Sequence, residues 1–194
     1  MIEFEQNIRL LERRIARNTN PEHLVTLYGS STIRLWSTMQ VDLAPINCMN
    51  LGFGGSHFDA CIYYFDRVFA SIKPAQIVIY GGDNDLSQGY DAYEIFERFK
   101  LLCEMINVKF PTSKLSAISI KPSIQRLAKL DTILLANRLM GEHLNNIPNA
   151  YQINVFDALL NDEGLPRPDA FLADGLHLNQ VGYKLWAEAV RLQL

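Results

Sequence analysis

The chain has 194 residues, of which 48% are hydrophobic and 20% are charged, and its formal net charge at pH 7 is −3. These values are typical of one soluble globular domain, so we expect a single domain over residues 1–194. The small negative charge and the lack of a Lys/Arg cluster argue against nucleic-acid binding. No apolar run reaches the roughly 18 residues of a membrane span, so none is predicted.

Cysteine use and the first residues indicate the cellular environment. Cys48, Cys61 and Cys103 lie in apolar or amphipathic runs and lack the spacing of metal ligands, so we expect buried thiols and no metal site. Residues 1–6 contain two acids and no apolar core of signal-peptide length. The sequence therefore predicts a cytoplasmic protein in a reducing compartment.

Apolar runs of strand length and helical periodicities alternate along the chain. An amphipathic helix over 4–18 belongs to a helical N-terminal extension, residues 1–20, and Asn18-Thr19-Asn20-Pro21 ends this helix. Five strands are predicted at 24–28, 45–50, 75–80, 115–120 and 151–156. The helices that follow these strands are predicted at about 33–36, 57–71, 92–107, 123–145 and 179–191.

This alternation, without a long linker or a repeat, predicts an α/β fold with a parallel sheet and helices on both faces. The strands are apolar almost throughout, which is expected of strands buried on both faces. In such a sheet the carboxyl ends of the strands meet at one edge, where ligands bind.

Three strands end in polar or glycine-rich turns, which we expect at that edge. They are Gly29-Ser30-Ser31, Gly52-Phe53-Gly54-Gly55 and Gly82-Asp83-Asn84-Asp85. A fourth polar block, Asp174-Gly175-Leu176-His177, precedes the last helix. Each block also has a structural interpretation, because serine caps helices, glycine permits tight turns and Asn is a turn residue.

Taken together, the blocks contain the residue types of a serine hydrolase. A serine hydroxyl needs a base within hydrogen-bond reach, and the base needs a carboxylate to orient it; Ser31, His177 and Asp174 supply these three types. The N–H groups of Ser31 and Gly55 and the side chain of Asn84 supply donors for a tetrahedral oxyanion.

The order of these four blocks resembles the GDSL-type (SGNH) hydrolase superfamily. The resemblance implies a flavodoxin-like three-layer α/β/α sandwich with five parallel strands in the order 2-1-3-4-5. It also implies an enzyme without a cofactor that acts on a small-molecule ester. Ser31 would be the nucleophile, His177 the general base, Asp174 its orienting carboxylate, and Ser31, Gly55 and Asn84 the oxyanion hole.

One block departs from the superfamily pattern. The usual Gly-Asp-Ser is Gly29-Ser30-Ser31 here, so Ser30 remains an alternative nucleophile. Four further residues near the same edge are candidates for substrate binding: Arg34, His57, Asp83 and Lys121.

Several functions remain open from the sequence. No extended apolar lid stands out, which favours short acyl groups. An acyltransferase or a carbohydrate O-deacetylase would use the same triad, and a non-catalytic binding module would retain the fold alone. A flavin or nucleotide binder of similar topology would leave Asp174 and His177 without a role. The oligomeric state is not predicted.

Overall fold

The computed structural model describes residues 1–17 and 22–194 and has a five-stranded parallel sheet at its centre. The strands are β1 (Val25–Gly29), β2 (Cys48–Gly52), β3 (Gln76–Tyr80), β4 (Lys114–Ile118) and β5 (Ala150–Ile153). Their order across the sheet is β2-β1-β3-β4-β5. The predicted fold class and strand order are therefore confirmed, whereas the predicted helix end at 18–21 lies outside the described residues.

Helices precede, connect and follow the strands. The α-helices in the described residues are α1 (Glu5–Ala16), α2 (Ser31–Leu35), α3 (Met39–Asp42), α4 (Phe58–Val68), α5 (Asp83–Ser87), α6 (Ala92–Lys109), α7 (Leu130–Leu144) and α8 (Gln180–Arg191). Short 3₁₀ segments lie at Ile2–Phe4, Ile124–Lys129, Asp157–Leu159 and Pro168–Ala170. None of the described helices combines the length and apolar character that a bilayer crossing requires.

Two hydrophobic cores lie between the sheet and the helices, one on each face of the sheet. Helices α1, α4, α6 and α7 contribute to the first core, which includes Phe65 and Phe99. Helices α2, α3 and α8 contribute to the second, which includes Trp36 and Trp186. Strands β1 and β3 are buried along their whole length, as expected for the middle of a three-layer sandwich.

The register of the sheet brings the polar strand ends together. Gly29, the last residue of β1, pairs with Gly52 at the end of β2 on one side. On the other side Gly29 pairs with Tyr80 at the end of β3. The turns that follow these three strands therefore start at the same level of the sheet and lie side by side.

Helix α2, which follows β1, is anchored on the last helix of the chain. Trp36 stacks on Tyr183 of α8 with ring centroids 5.8 Å apart and an interplanar angle of 19°. The Tyr183 hydroxyl donates a hydrogen bond of 2.8 Å to the carbonyl oxygen of Thr32 in α2. These contacts fix the first turn of α2 relative to the segment that leads into α8.

The predicted helix over 123–145 is divided into two parts. Residues Ile124–Lys129 form a 3₁₀ segment, and only Leu130–Leu144 is α-helical. Arg126 has non-helical backbone angles, and the Gln125 N–H donates a 3.0 Å hydrogen bond to the carbonyl of Gly175. A contact with a distant loop therefore overrides the local helical pattern.

Other differences concern short elements. Strand β2 begins at Cys48 rather than Pro45, because its ladder with β1 starts there. Helices α3 and α5 are not predicted, since four or five residues are too few for a helical periodicity to be recognised. The three cysteines are buried and free, as expected.

Candidate active site

The turn after β1 places Ser31 at the edge of the sheet. Gly29 has a φ of +148°, and a Cβ atom there would lie 1.8 Å from the carbonyl oxygen of Tyr80. Only glycine therefore allows β1 to end so close to β3. Ser30 precedes α2 in an extended conformation, and Ser31 is the half-buried first residue of that helix.

The loop before α8 orients His177 through a single carboxylate. Asp174 Oδ1 accepts hydrogen bonds of 2.9 Å from the backbone N–H groups of Leu176 and His177. Between them Gly175 takes a φ of +65°, a conformation that favours glycine. The other carboxylate oxygen, Oδ2, lies 2.7 Å from Nδ1 of His177. Asp174 thus holds both the loop and the imidazole ring.

A hydrogen-bonded chain links this loop to Ser31. The Oγ atom of Ser31 lies 3.0 Å from Nε2 of His177, across 146 positions of sequence. The hydrogen bond with His177 lowers the pKa of Asp174 to about 2, so this carboxylate is ionised at neutral pH and only accepts hydrogen bonds. The proton of a neutral imidazole then lies on Nδ1, which leaves the Nε2 lone pair facing the serine hydroxyl.

Ser30 has a different environment. Its side chain is 1% exposed, and its hydroxyl has no hydrogen-bond partner among the described residues. The two adjacent serines are therefore distinguished by geometry: Ser31 contacts the imidazole, and Ser30 points into the interior.

The glycine turn after β2 lies beside Asn84. Gly55 is exposed, with a φ of +76°. The Asn84 side chain, in the first turn of α5, donates a 2.8 Å hydrogen bond from Nδ2 to the carbonyl oxygen of Ser56. This bond uses one of the two N–H groups of the amide, and the other remains for a ligand. The structure therefore brings Asn84 to the residue that follows Gly55.

Asp85 fixes this part of the site; a bond to the local backbone is expected from the sequence, whereas its long-range bond to Phe58 is not. Its carboxylate accepts hydrogen bonds from the N–H groups of Phe58, at 3.1 and 3.3 Å, and of Gly82, at 3.2 Å. It therefore joins the N-termini of α4 and α5. Burial raises the pKa of Asp85 to about 6 against the effect of these bonds. A sequence signal was present in its position three residues after Gly82, because an acid at the third helical position can accept a hydrogen bond from the N–H of the residue before the helix.

Two of the predicted substrate-binding residues pair with each other below the surface. Lys121 is 0% exposed, and its Nζ lies 2.6 Å from Oδ2 of Asp83, which is also buried. The Tyr80 hydroxyl donates to the same carboxylate oxygen at 2.5 Å. Neither charge is presented to a ligand at the surface, so we interpret the pair as support for the start of α5, where Asn84 lies.

The other two candidates differ in exposure. His57 is 7% exposed and caps α4, since its Nδ1 accepts a 3.3 Å hydrogen bond from the Ala60 N–H. Burial lowers the pKa of His57. Arg34 is exposed and lies next to the glycine turn after β2. Within residues 1–17 and 22–194, no three His, Cys, Asp or Glu residues are grouped so as to hold a metal ion.

We predict that Lys121→Met lowers the free energy of unfolding by about 3–5 kcal/mol, because it leaves the buried Asp83 carboxylate without its counter-charge. Lys109→Met is the control, since Lys109 pairs with Asp66 at 2.7 Å on the surface, where an ion pair contributes about 0–1 kcal/mol. Urea unfolding measures both variants.

Addition of Asp83→Asn to Lys121→Met removes the unpaired charge, and we expect it to restore more than half of the lost stability. The double variant also keeps the test decisive if Lys121→Met does not fold. Equal effects of Lys121→Met and Lys109→Met would contradict the assignment of a buried ion pair.

Solved structures with a similar fold were found for this chain, but no similar sequence was found among family models or curated proteins. No family model and no curated protein sequence matches the chain. A solved structure from Streptococcus pneumonia, provisionally described as a platelet activating factor, is similar with a TM-score of 0.84 at 17% identity, covering 98% of this chain and 92% of that one.

Two further structures carry descriptions of their activity. A GDSL-like lipase from Bacteroides thetaiotaomicron has a TM-score of 0.78 at 17% identity and covers 96% of both chains. A family 3 carbohydrate esterase from Clostridium thermocellum has a TM-score of 0.67 at 16% identity, covering 87% of this chain and 92% of that one. Sequence identities of 16–17% show a shared fold and nothing more specific. Over nearly its whole length, the chain has the fold of the GDSL-like (SGNH-type) hydrolases.

Proposed function

We propose that the protein is a serine ester hydrolase that cleaves short-acyl carboxylic esters through an acyl-enzyme. The observation that carries this proposal is the hydrogen-bonded chain from Ser31 Oγ through the His177 ring to Asp174, with distances of 3.0 and 2.7 Å. A nucleophile, a base and an orienting carboxylate in this order form a catalytic triad. The fold of GDSL-like lipases supports the same assignment.

In the first half-reaction Ser31 Oγ attacks the ester carbonyl carbon, and its proton passes to Nε2 of His177. Asp174 keeps the imidazole in position and stabilises its positive charge. The carbonyl oxygen becomes an oxyanion that accepts hydrogen bonds from the N–H groups of Ser31 and Gly55 and from the Asn84 side chain.

Collapse of the tetrahedral intermediate breaks the bond between the carbonyl carbon and the alcohol oxygen. His177 returns its proton to the leaving alcohol, and Ser31 retains the acyl group as an ester. In the second half-reaction His177 takes a proton from water, the resulting hydroxide attacks the acyl carbon, and Ser31 leaves with the proton that His177 gives back. The carboxylic acid is then released.

A carbohydrate O-deacetylase is a second candidate, because a carbohydrate esterase shares the fold. It would use the same triad on an acetyl group carried by a sugar hydroxyl. An acyltransferase would pass the acyl group to an alcohol instead of water, and product analysis with and without a sugar acceptor distinguishes it. A purely non-catalytic module gives no reason for a base and a carboxylate to be aligned on Ser31.

We predict that Ser31→Ala lowers the turnover of p-nitrophenyl acetate and p-nitrophenyl butyrate by at least ~10³-fold, because the nucleophile is lost. Ser30→Ala is the matched control, since it removes a neighbouring hydroxyl that does not contact His177. It should retain activity within a few-fold of the unaltered protein. We expect p-nitrophenyl octanoate to be a poorer substrate than the two short esters.

The assignment fails if Ser31→Ala remains as active as the unaltered protein. If instead Ser30→Ala abolishes turnover and Ser31→Ala does not, the nucleophile is Ser30. Circular dichroism of both variants shows whether they are folded.

For Asn84→Ala we predict a fall in kcat of roughly 10²–10³-fold, the effect of losing one oxyanion donor. The hydrogen bond from Asn84 to Ser56 is also lost, so the rate is expressed per folded molecule after urea titration. Asn146→Ala, an exposed helix-end substitution, is the control and should leave kcat unchanged. A purely structural Asn84 would lower stability and leave the rate per folded molecule near normal.

A further inference from the structure

A groove runs along β2, the strand at the edge of the sheet, and Arg34 of α2 is one of its lining residues. Its volume is about 690 Å³, and its walls come from β2, from the segment after α2 and from α1. We call it the β2 groove; its polar lining consists of Arg14, Arg34, Ser37, Gln40, Asn47 and Asn50.

The β2 groove carries positive charge in a chain whose net charge is negative. Two arginines line it, and none of its lining residues in the described part of the chain is acidic. Arg34 is exposed and forms no ion pair with any carboxylate in residues 1–17 and 22–194. Its charge is therefore available to a ligand.

Arg34 packs closely against two glycines, Gly52 at the end of β2 and Gly54 in the turn that follows. A Cβ atom at Gly52 would lie 2.3 Å from the backbone nitrogen of Arg34. A Cβ atom at Gly54 would lie 2.9 Å from its Nε and 3.3 Å from one Nη. The guanidinium group is therefore packed against Gly54, which directly precedes Gly55 of the proposed oxyanion hole. Arg34 also follows Ser31 by three residues in α2, so both belong to one helical turn.

Hydrogen bonds connect the α1 side of the groove to β2 and α2. The Arg14 guanidinium donates a hydrogen bond to the carbonyl oxygen of Asn50. The Asn50 side chain donates to the Ile33 carbonyl at 2.5 Å and accepts from the Gly52 N–H at 2.9 Å. Arg14 is itself exposed, so its charge faces the groove from the solvent side. A second positive charge among the lining residues adds to the attraction for an anion.

We propose that the β2 groove binds a carboxylate or phosphate group of the ester substrate, and that Arg34 is the residue that recognises it. A guanidinium group suits this role, because its planar set of N–H donors matches both anions in a bidentate geometry. This inference rests on the proposed ester hydrolysis at Ser31 and names its substrate class: an ester with an anionic acyl or alcohol portion.

The test compares anionic esters with neutral counterparts. The p-nitrophenyl monoester of glutaric acid and the p-nitrophenyl ester of γ-phosphonobutyric acid are each compared with p-nitrophenyl butyrate. On the alcohol side, para-acetoxybenzoate is compared with its methyl ester. The quantity measured is the ratio of kcat/KM for the anionic ester to that for the neutral one.

In Arg34→Gln we expect at least one of these ratios to fall by about tenfold or more, mainly through KM, because a charge-assisted pair of hydrogen bonds is lost. The pair of esters whose ratio falls identifies whether the recognised anion is a carboxylate or a phosphate, and whether the acyl or the alcohol portion of the ester carries it. Arg13→Gln removes the same formal charge from an exposed position of α1 outside the groove and should leave every ratio within about twofold.

Two results would overturn the inference: ratios that stay unchanged in Arg34→Gln, which is also what equal losses for anionic and neutral esters would give, or the same change in Arg13→Gln. Each of them leaves the proposed function intact as long as turnover depends on Ser31. Failure of the proposed function has a different signature, which is turnover that Ser31→Ala does not reduce.

Discussion

The candidate site depends on the docking of α2 against α8. The stacking of Trp36 on Tyr183 and the hydrogen bond from Tyr183 to the Thr32 carbonyl join two helices that are far apart in sequence. Ser31 lies at the start of one helix, and His177 lies three residues before the start of the other. This packing in the second core therefore sets the distance between the hydroxyl and the imidazole, and a shift of about 1 Å would break the hydrogen bond.

The opposite side of the site is organised by buried carboxylates. Asp85 joins the starts of α4 and α5, and Asp83 anchors the start of α5 on Lys121 and Tyr80. Asn84 lies between these two acids, so its amide is held beside the Gly55 turn. Burying such charges costs free energy, which their hydrogen bonds offset, and in return Asn84, a proposed oxyanion donor, is positioned before a substrate arrives.

The sequence predicts the architecture well because the strands are long apolar runs separated by clear turn residues. It also predicts which residue types meet, since the ends of parallel strands share one edge. The sequence does not predict the individual side-chain contacts. Lys121 and Asp83 are predicted separately as substrate-binding residues, but they are 38 residues apart, and only the packed structure shows that they pair with each other. The split of the helix over 123–145 likewise depends on a bond from Gln125 to Gly175.

The most direct test of the central claim is covalent labelling with a fluorophosphonate, followed by mass spectrometry of the digested protein. The chain from Asp174 through His177 to Ser31 predicts one adduct per molecule, on Ser31, with no label on Ser30. Labelling should be lost in His177→Ala, which removes the base and keeps the serine. An adduct on Ser30, or labelling of Ser31 that is independent of His177, would contradict the account.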